Sequence, residues 1–271
     1  GIALGPGTGG GGSGLGGSAG YGESLRTRAG DASLQVSVGA VFENGFQFGG
    51  QTYGANNVFV STNGLISFGS AINGVETNLA NLAQPFIAAF HADVDTRLDG
   101  EGPESGPVWV DIDPVSDVVT ITWQDVGFYR RNADATNLFQ LQLYDQGADG
   151  FDIVLRYEEI GWTTGDLQGG WGGLGGDAAQ IGYRLTSTGT PTLLGASGIG
   201  SALLNLPVTL GNTGVAGLWV YRIGGPGLVS GLINGGAAAD LLVGSAQNDQ
   251  IFGGAGDDTL RGLAGPDILD G

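Results

Sequence analysis

Four aspartates recur at intervals of nine near the end of the chain: Asp240, Asp249, Asp258 and Asp267. An apolar residue follows each two places on (Leu242, Ile251, Leu260, Leu269), and Gly235, Gly244, Gly253, Gly262 and Gly271 open successive units. If each nonapeptide makes one tight turn and one short strand, two complete a coil, which places Asp240 over Asp258 and Asp249 over Asp267. Stacked strands lie about 4.8 Å apart, and two bare carboxylates at that spacing repel and raise one another's pKa. A bound cation removes the conflict. Oxygen donors from these carboxylates and from the turn residues Gly253, Ala255, Gly262 and Ala264, in a flexible loop, suit Ca²⁺ better than Mg²⁺ or zinc. The glycines allow positive φ and turn carbonyls toward the ion. A solvated Gly/Asp linker is the plain alternative, and it does not account for acid and apolar positions sharing one phase.

The repeat fits G-G-x-G-x-D-x-U-x, with U apolar, and the stretch resembles the RTX, or hemolysin-type, calcium-binding repeat of secreted bacterial proteins. That resemblance implies calcium-linked folding and export by a type I route. Ala238 and Gln247 replace Gly at the fourth position of the first two units, and Ser245 and Leu263 replace it at the second, whereas Gly256 and Gly265 keep it. Upstream, Ser230–Asn234 has Ile233 in phase but Gly231 where Asp is expected, so it reads as a leading cap. Four units make two coils, few for a solenoid to bury its own core. Gly271 opens a fifth, and the natural product is expected to continue.

Other chemistry has less to work with. His91 is the only histidine, which limits or excludes His-based triads and two-histidine zinc sites, and its place in FIAAFHADVD favours a hydrogen-bonded structural role. Nothing selects a carboxylate pair for glycoside hydrolysis, so no enzyme is expected. Asp93, Asp95 and Asp99, with Glu101, form the densest acidic cluster and are second candidates for a cation. The competing reading is that Asp93 and Asp95 brace a strand end, with Arg97 as internal partner. Asp145–Gly150 imitates the start of an EF-hand loop, but Arg156 stands where a bidentate Glu is needed, and a turn between strands is the better account. Among the tryptophans, Trp171 in GGWGGLGG has the one loop-like setting, which makes it a candidate contact for a glycan or other ligand.

Acidic residues outnumber basic by 27 to 9, for a net charge of -18. The excess argues against nucleic acid or an anionic membrane as partner and favours divalent cations. No cysteine is present, which removes disulfides, thiolate metal sites and Cys nucleophiles. No apolar run has the length of a membrane span, and membrane insertion is not expected.

These residues need a scaffold. Residues 1–30 form a Gly-rich arm, expected to be held by strand addition to a sheet edge or groove and to mediate self-association, the alternative being that it packs on its own domain. From Asp31 to Ile223 short runs of Val, Ile, Phe and Tyr are broken by Gly, Asn and Asp at roughly ten-residue spacing, the signature of antiparallel β. Expected strands are Phe86–His91, Val108–Ile112, Val118–Trp123, Phe139–Tyr144, Ile153–Tyr157, Gln180–Leu185 and Leu218–Ile223. Val58–Thr62 and Leu65–Phe68 flank Asn63-Gly64 in a hairpin of type I′ character, and Val75–Leu82 is the one short helix expected. The blocks VFVSTNGLISFG, QPFIAAFHADVDTR, VTITWQDVGFY, TNLFQLQLY and IVLRYEEIGWTTGD resemble the NIDO domain, named after nidogen, over about residues 40–223. That resemblance implies an extracellular role in adhesion or matrix assembly without catalysis. The expected architecture is all-β: an antiparallel sandwich-like domain over 31–223 and a short parallel β-roll over 224–271. The expected function is that of a secreted, calcium-binding bacterial surface or matrix protein, whose partners are calcium, other copies of itself and a cell-surface or glycan ligand. A non-catalytic or carbohydrate-binding part of a larger secreted hydrolase stays open as an alternative.

Overall fold

A computed structural model describes residues 19–48, 51–147, 150–165, 169–224, 228–234, 239, 241–243, 250–262 and 268–271. The first strands are β1 (Ser24–Leu25), β2 (Ser33–Val36), β3 (Phe46–Phe48), β4 (Gln51–Tyr53), β5 (Val58–Ser61), β6 (Leu65–Phe68), β7 (Phe86–His91) and β8 (Val94–Asp95). The long central strands follow: β9 (Val108–Asp113), β10 (Val118–Phe128), β11 (Asn132–Asp145) and β12 (Phe151–Ile160). Then come β13 (Gln180–Arg184), β14 (Thr192–Leu193), β15 (Leu218–Gly224) and β16 (Leu228–Asn234). The last are β17 (Leu241–Val243), β18 (Gln250–Phe252), β19 (Thr259–Arg261) and β20 (Ile268–Asp270).

The larger sheet runs β1-β9-β10-β11-β12-β15-β16-β18-β20, with β8 also paired to β10. The smaller runs β14-β13-β7-β6-β5-β2. Alternation explains how they meet: Val119, Ile121 and Trp123 of β10 and Phe139, Leu141 and Leu143 of β11 face Val58, Val60, Ile66, Phe68, Ile87 and Ala89 of the smaller sheet in one core. The fold is therefore an antiparallel two-layer domain, as expected of the sequence. Three large aromatics span the core and spend their polar ends on carbonyls that would otherwise be buried without a donor. Trp123 Nε1 donates to Thr62 O at 2.9 Å, Tyr157 Oη to Ala89 O at 2.7 Å and Trp162 Nε1 to Val126 O at 2.9 Å.

Two local expectations are corrected. Ser61 pairs with Leu65, so the loop is the three residues Thr62–Gly64 and not a two-residue type I′ turn. Only Gly64 is left-handed in it, at φ 77°, the geometry of a three-residue hairpin loop. Asn63 is kept out of that region by its contacts. It is fully buried, its Nδ2 donates to Asp31 Oδ1 at 2.9 Å, and its Oδ1 accepts from Val94 N at 3.0 Å. The helix expected over Val75–Leu82 is a single 3-10 turn, Leu79–Asn81, capped when Asn78 accepts from Ala80 N.

His91 is structural, as the sequence suggested. Its Nε2 accepts from Glu76 N at 3.1 Å, so the proton sits on Nδ1 and is donated to Asn63 O at 2.9 Å. Burial pushes the imidazole pKa from 6.5 to about 4. Because the folded pKa is depressed, the unfolded chain binds the extra proton, and this contribution is whole above pH 6.5 and lost as pH falls toward 4. Denaturant unfolding should therefore show about 3 kcal/mol less stability near pH 4 than at pH 7 from this group, a component missing in His91→Gln. A Cβ on Gly64 would collide with the Phe90 carbonyl, and Gly64→Ala should cost about 3 kcal/mol in the same assay.

Candidate metal centre

The roll grows from the edge of the large sheet. The first residues of β16 pair antiparallel with β15 (Leu228 with Gly224 through Gly231 with Tyr221). Its last three turn to a parallel partner, with Leu232, Ile233 and Asn234 opposite Gln250, Ile251 and Phe252 of β18. β18 continues in parallel to β20, pairing Ile251 with Leu269, and β17 pairs with β19 in a second layer through Leu242 and Leu260. Each partner lies eighteen residues further on, the two-nonapeptide coil expected of the repeat, and Ile233 is the leading cap in phase. Ile251 is fully buried. Leu269, on the last described strand, is 47% exposed.

One turn is described whole, between β18 and β19. Gly254 and Gly256 take φ 94° and 124°, conformations open to glycine. Gly253 is buried and its N–H donates to Asp270 O at 2.6 Å, which ties the turn to the neighbouring coil. Asp258 folds back over Gly253 so closely that a Cβ there would lie 2.6 Å from Asp258 Oδ2. The glycine leaves room for a half-buried carboxylate beside left-handed turn residues, which supplies an oxygen donor of the kind calcium takes. Ala255 lies exposed in the same turn, and Gly262 is buried just beyond β19. Asp240, Asp249, Asp267 and Ala264 lie outside the described residues.

The second acidic cluster is occupied from within. Asp95, 1% exposed, takes Arg97 Nε on Oδ1 at 2.9 Å and Arg97 Nη2 on Oδ2 at 2.6 Å. It also accepts from the N–H groups of Arg97 and Arg131 at 3.1 and 3.2 Å. Burial alone would raise the Asp95 pKa, but the Arg97 guanidinium and these N–H groups outweigh it and hold the carboxyl below its usual range. Asp93 accepts from Tyr129 N through its carbonyl, and Asp99 accepts from Glu101 N in an exposed loop. Among the described residues no three Asp, Glu, His or Cys side chains are placed to hold a metal. Asp145 closes its turn by accepting from Gly147 N at 2.8 Å and leads from β11 into β12, as a strand connection does.

Trp171 is 89% exposed yet rigidly mounted. Its N–H and C=O pair with those of Leu174 across Gly172 and Gly173, both left-handed, and the N–H groups of Thr163 and Thr164 clamp Gly173 O at 2.8 and 2.9 Å. A Cβ on Gly173 would meet Trp162 at 2.6 Å, so the turn sits on the core.

Residues 109–225 match the nidogen-like domain family, and residues 234–269 match the RTX calcium-binding nonapeptide repeat in four copies. The chain carries a nidogen-like domain followed by RTX calcium-binding repeats. Alpha-tectorin of Gallus gallus is 32% identical over 199 residues, covering 62% of this chain and 9% of that protein. Nidogen of Drosophila melanogaster is 27% identical over 203 residues, 67% of this chain and 14% of that protein. The chain thus corresponds to a small part of each relative. No solved structure matches it. Among the described residues, no helix is long and apolar enough to cross a membrane.

The structure adds two features that sequence reading did not assign. The carbonyl of Asp270 anchors the RTX turn, and β16 joins the nidogen-like domain to the roll as a shared strand. The eighteen-residue phase of Ile233 with Ile251 was the available signal for the second. Calcium removal by chelator should abolish amide protection over 250–262 and leave β10–β12 protected, read by hydrogen exchange. Asp258→Ala and Gly253→Ala should each raise the calcium midpoint, expected at about 10⁻⁴ to 10⁻³ M, by tenfold or more. Asp95→Ala should leave that midpoint unchanged while lowering the stability of the nidogen-like domain.

Proposed function

We propose that this protein is a secreted bacterial, non-enzymatic surface or matrix protein, in which calcium binding by the RTX repeats supports adhesion or assembly by the nidogen-like domain. The observation that carries the reading is β16, through which the calcium-binding roll continues the ladder of the larger sheet. Folding of the roll then covers a sheet edge of the domain. Low calcium inside a cell leaves the repeats unfolded and compatible with export through a type I route, and external calcium completes the fold after export. The kinds of relative matched support the extracellular setting.

The exposed Trp171, on a turn whose backbone is pinned to the core, favours a second reading, a carbohydrate-binding part of a larger secreted hydrolase, because an exposed indole can stack on a sugar face. The readings separate by experiment. Adhesion or matrix function requires calcium-dependent retention of the full chain on bacterial surfaces or extracellular matrix, with release by chelator. Retention that ignores calcium overturns it. A glycan-array signal lost in Trp171→Ala and unaffected by chelator establishes the second reading, and an array silent for both proteins removes it.

A further inference from the structure

The face of the larger sheet turned away from the core has the wrong burial for an open surface. Thr120 pairs with Gln142, Thr122 with Gln140, and Gln140 with Arg156. All five alternate with core residues such as Ile121, Phe139 and Leu155 and therefore point outward. Outward positions of antiparallel strands are ordinarily solvated. Here Thr120, Thr122 and Gln140 are 0% exposed, Gln142 1% and Arg156 6%. They are cross-linked along the sheet: Gln140 Nε2 donates to Thr122 Oγ1 at 2.8 Å, Gln142 Nε2 to Thr120 Oγ1 at 3.0 Å, and Arg156 Nε to Gln142 Oε1 at 2.8 Å. Two buried atoms are left over, Gln140 Oε1, which needs a donor, and Arg156 Nη1, which needs an acceptor. Leaving both unmet is costly.

A peptide backbone supplies a donor and an acceptor side by side. Where the described chain begins, it already lies on this face: Tyr21, with Ala19 and Trp109, packs on Leu138. Just beyond, a Cβ on Gly22 would be 2.7 Å from Val110 O, so the backbone runs flush against β9. We propose that the outward face of β10–β12 is a docking groove for an extended glycine-rich segment, and that its occupant is residues 1–18 of the same chain. Ten of those residues are Gly and none is charged, so they can approach this layer, whose charged members are Arg156 and, opposite Thr120, Asp111, without steric conflict and without bringing a further charge into it. Eighteen residues reach at most about 60 Å when extended, several times the distance from Leu138 to Gln142 along one strand, about 14 Å. A second copy is not required. The arm so placed shields the buried polar layer from water and from other partners.

Because the chain has no cysteine, a single introduced thiol reports on cover. Gln142→Cys and Thr122→Cys are compared by native thiol-labelling rate in the full chain and in a chain lacking residues 1–18. Val115→Cys, at a position 92% exposed, is the control. The expected result is labelling at least tenfold slower in the full chain at the first two sites, on the order of protection from a local opening equilibrium. The control rate should be equal in both, and a synthetic peptide of residues 1–18 should restore protection to the shortened chain. A full-length variant with Gly10, Gly11 and Gly12 each replaced by Glu should label like the shortened chain, which keeps the test decisive if truncation prevents folding. Equal rates at Gln142→Cys with and without the arm overturn the proposal. Protection that fades on dilution of the protein also overturns it, by assigning the groove to the arm of a second copy.

Discussion

A sheet cannot simply stop: its last strand presents a row of unpaired amides and carbonyls that water, another chain or another element must satisfy. In this protein β16 resolves that constraint by handing its pairing over partway along its length. Its first four residues continue the antiparallel ladder from β15, and its last three begin a parallel ladder to β18. The roll then has a preformed first layer, which matters because two coils by themselves have little core. Ile251, buried between that layer and the next, has the cover that Leu269 lacks.

On the other side of β16 the domain is braced by polar groups placed inside it. Asp95 shows the mechanism. It engages both ends of the Arg97 guanidinium and also takes the Arg131 N–H, and the turn it reaches holds Arg130 and Arg131 at φ 62° and 61°. Two consecutive non-glycine residues in that region cost free energy unless the surroundings impose it, and here a buried carboxylate does so. The ADVDTR block thus fastens the β10–β11 connection. Asn63 and His91 play the same part between β7 and the β5–β6 loop, with each ring nitrogen of the imidazole bonded to backbone.

Much of this was legible because it is local and periodic. The nine-residue phase of Asp, Gly and apolar positions marked the coil and its eighteen-residue stacking, and the alternating runs marked the strands, although β10, β11 and β12 extend further than their apolar cores. The Arg97 partnership of Asp95 was legible from proximity in sequence. What was hidden depends on distant contacts. Asn63 reads as a turn residue until Asp31 and Val94 are seen to hold its side chain. The Thr and Gln positions of β10 and β11 read as a solvated face, and nothing in their alternation announces that they are buried.

The single-strand junction also has a mechanical meaning. A load applied at the outermost described coil acts across the three residue pairs that join β20 to β18 before it reaches the interlocked core of the two-layer domain. Each coil so released frees eighteen residues, about 60 Å of extended chain, and the loss of one coil leaves the next intact. Single-molecule pulling would register this as steps of that length in calcium and as their disappearance in chelator.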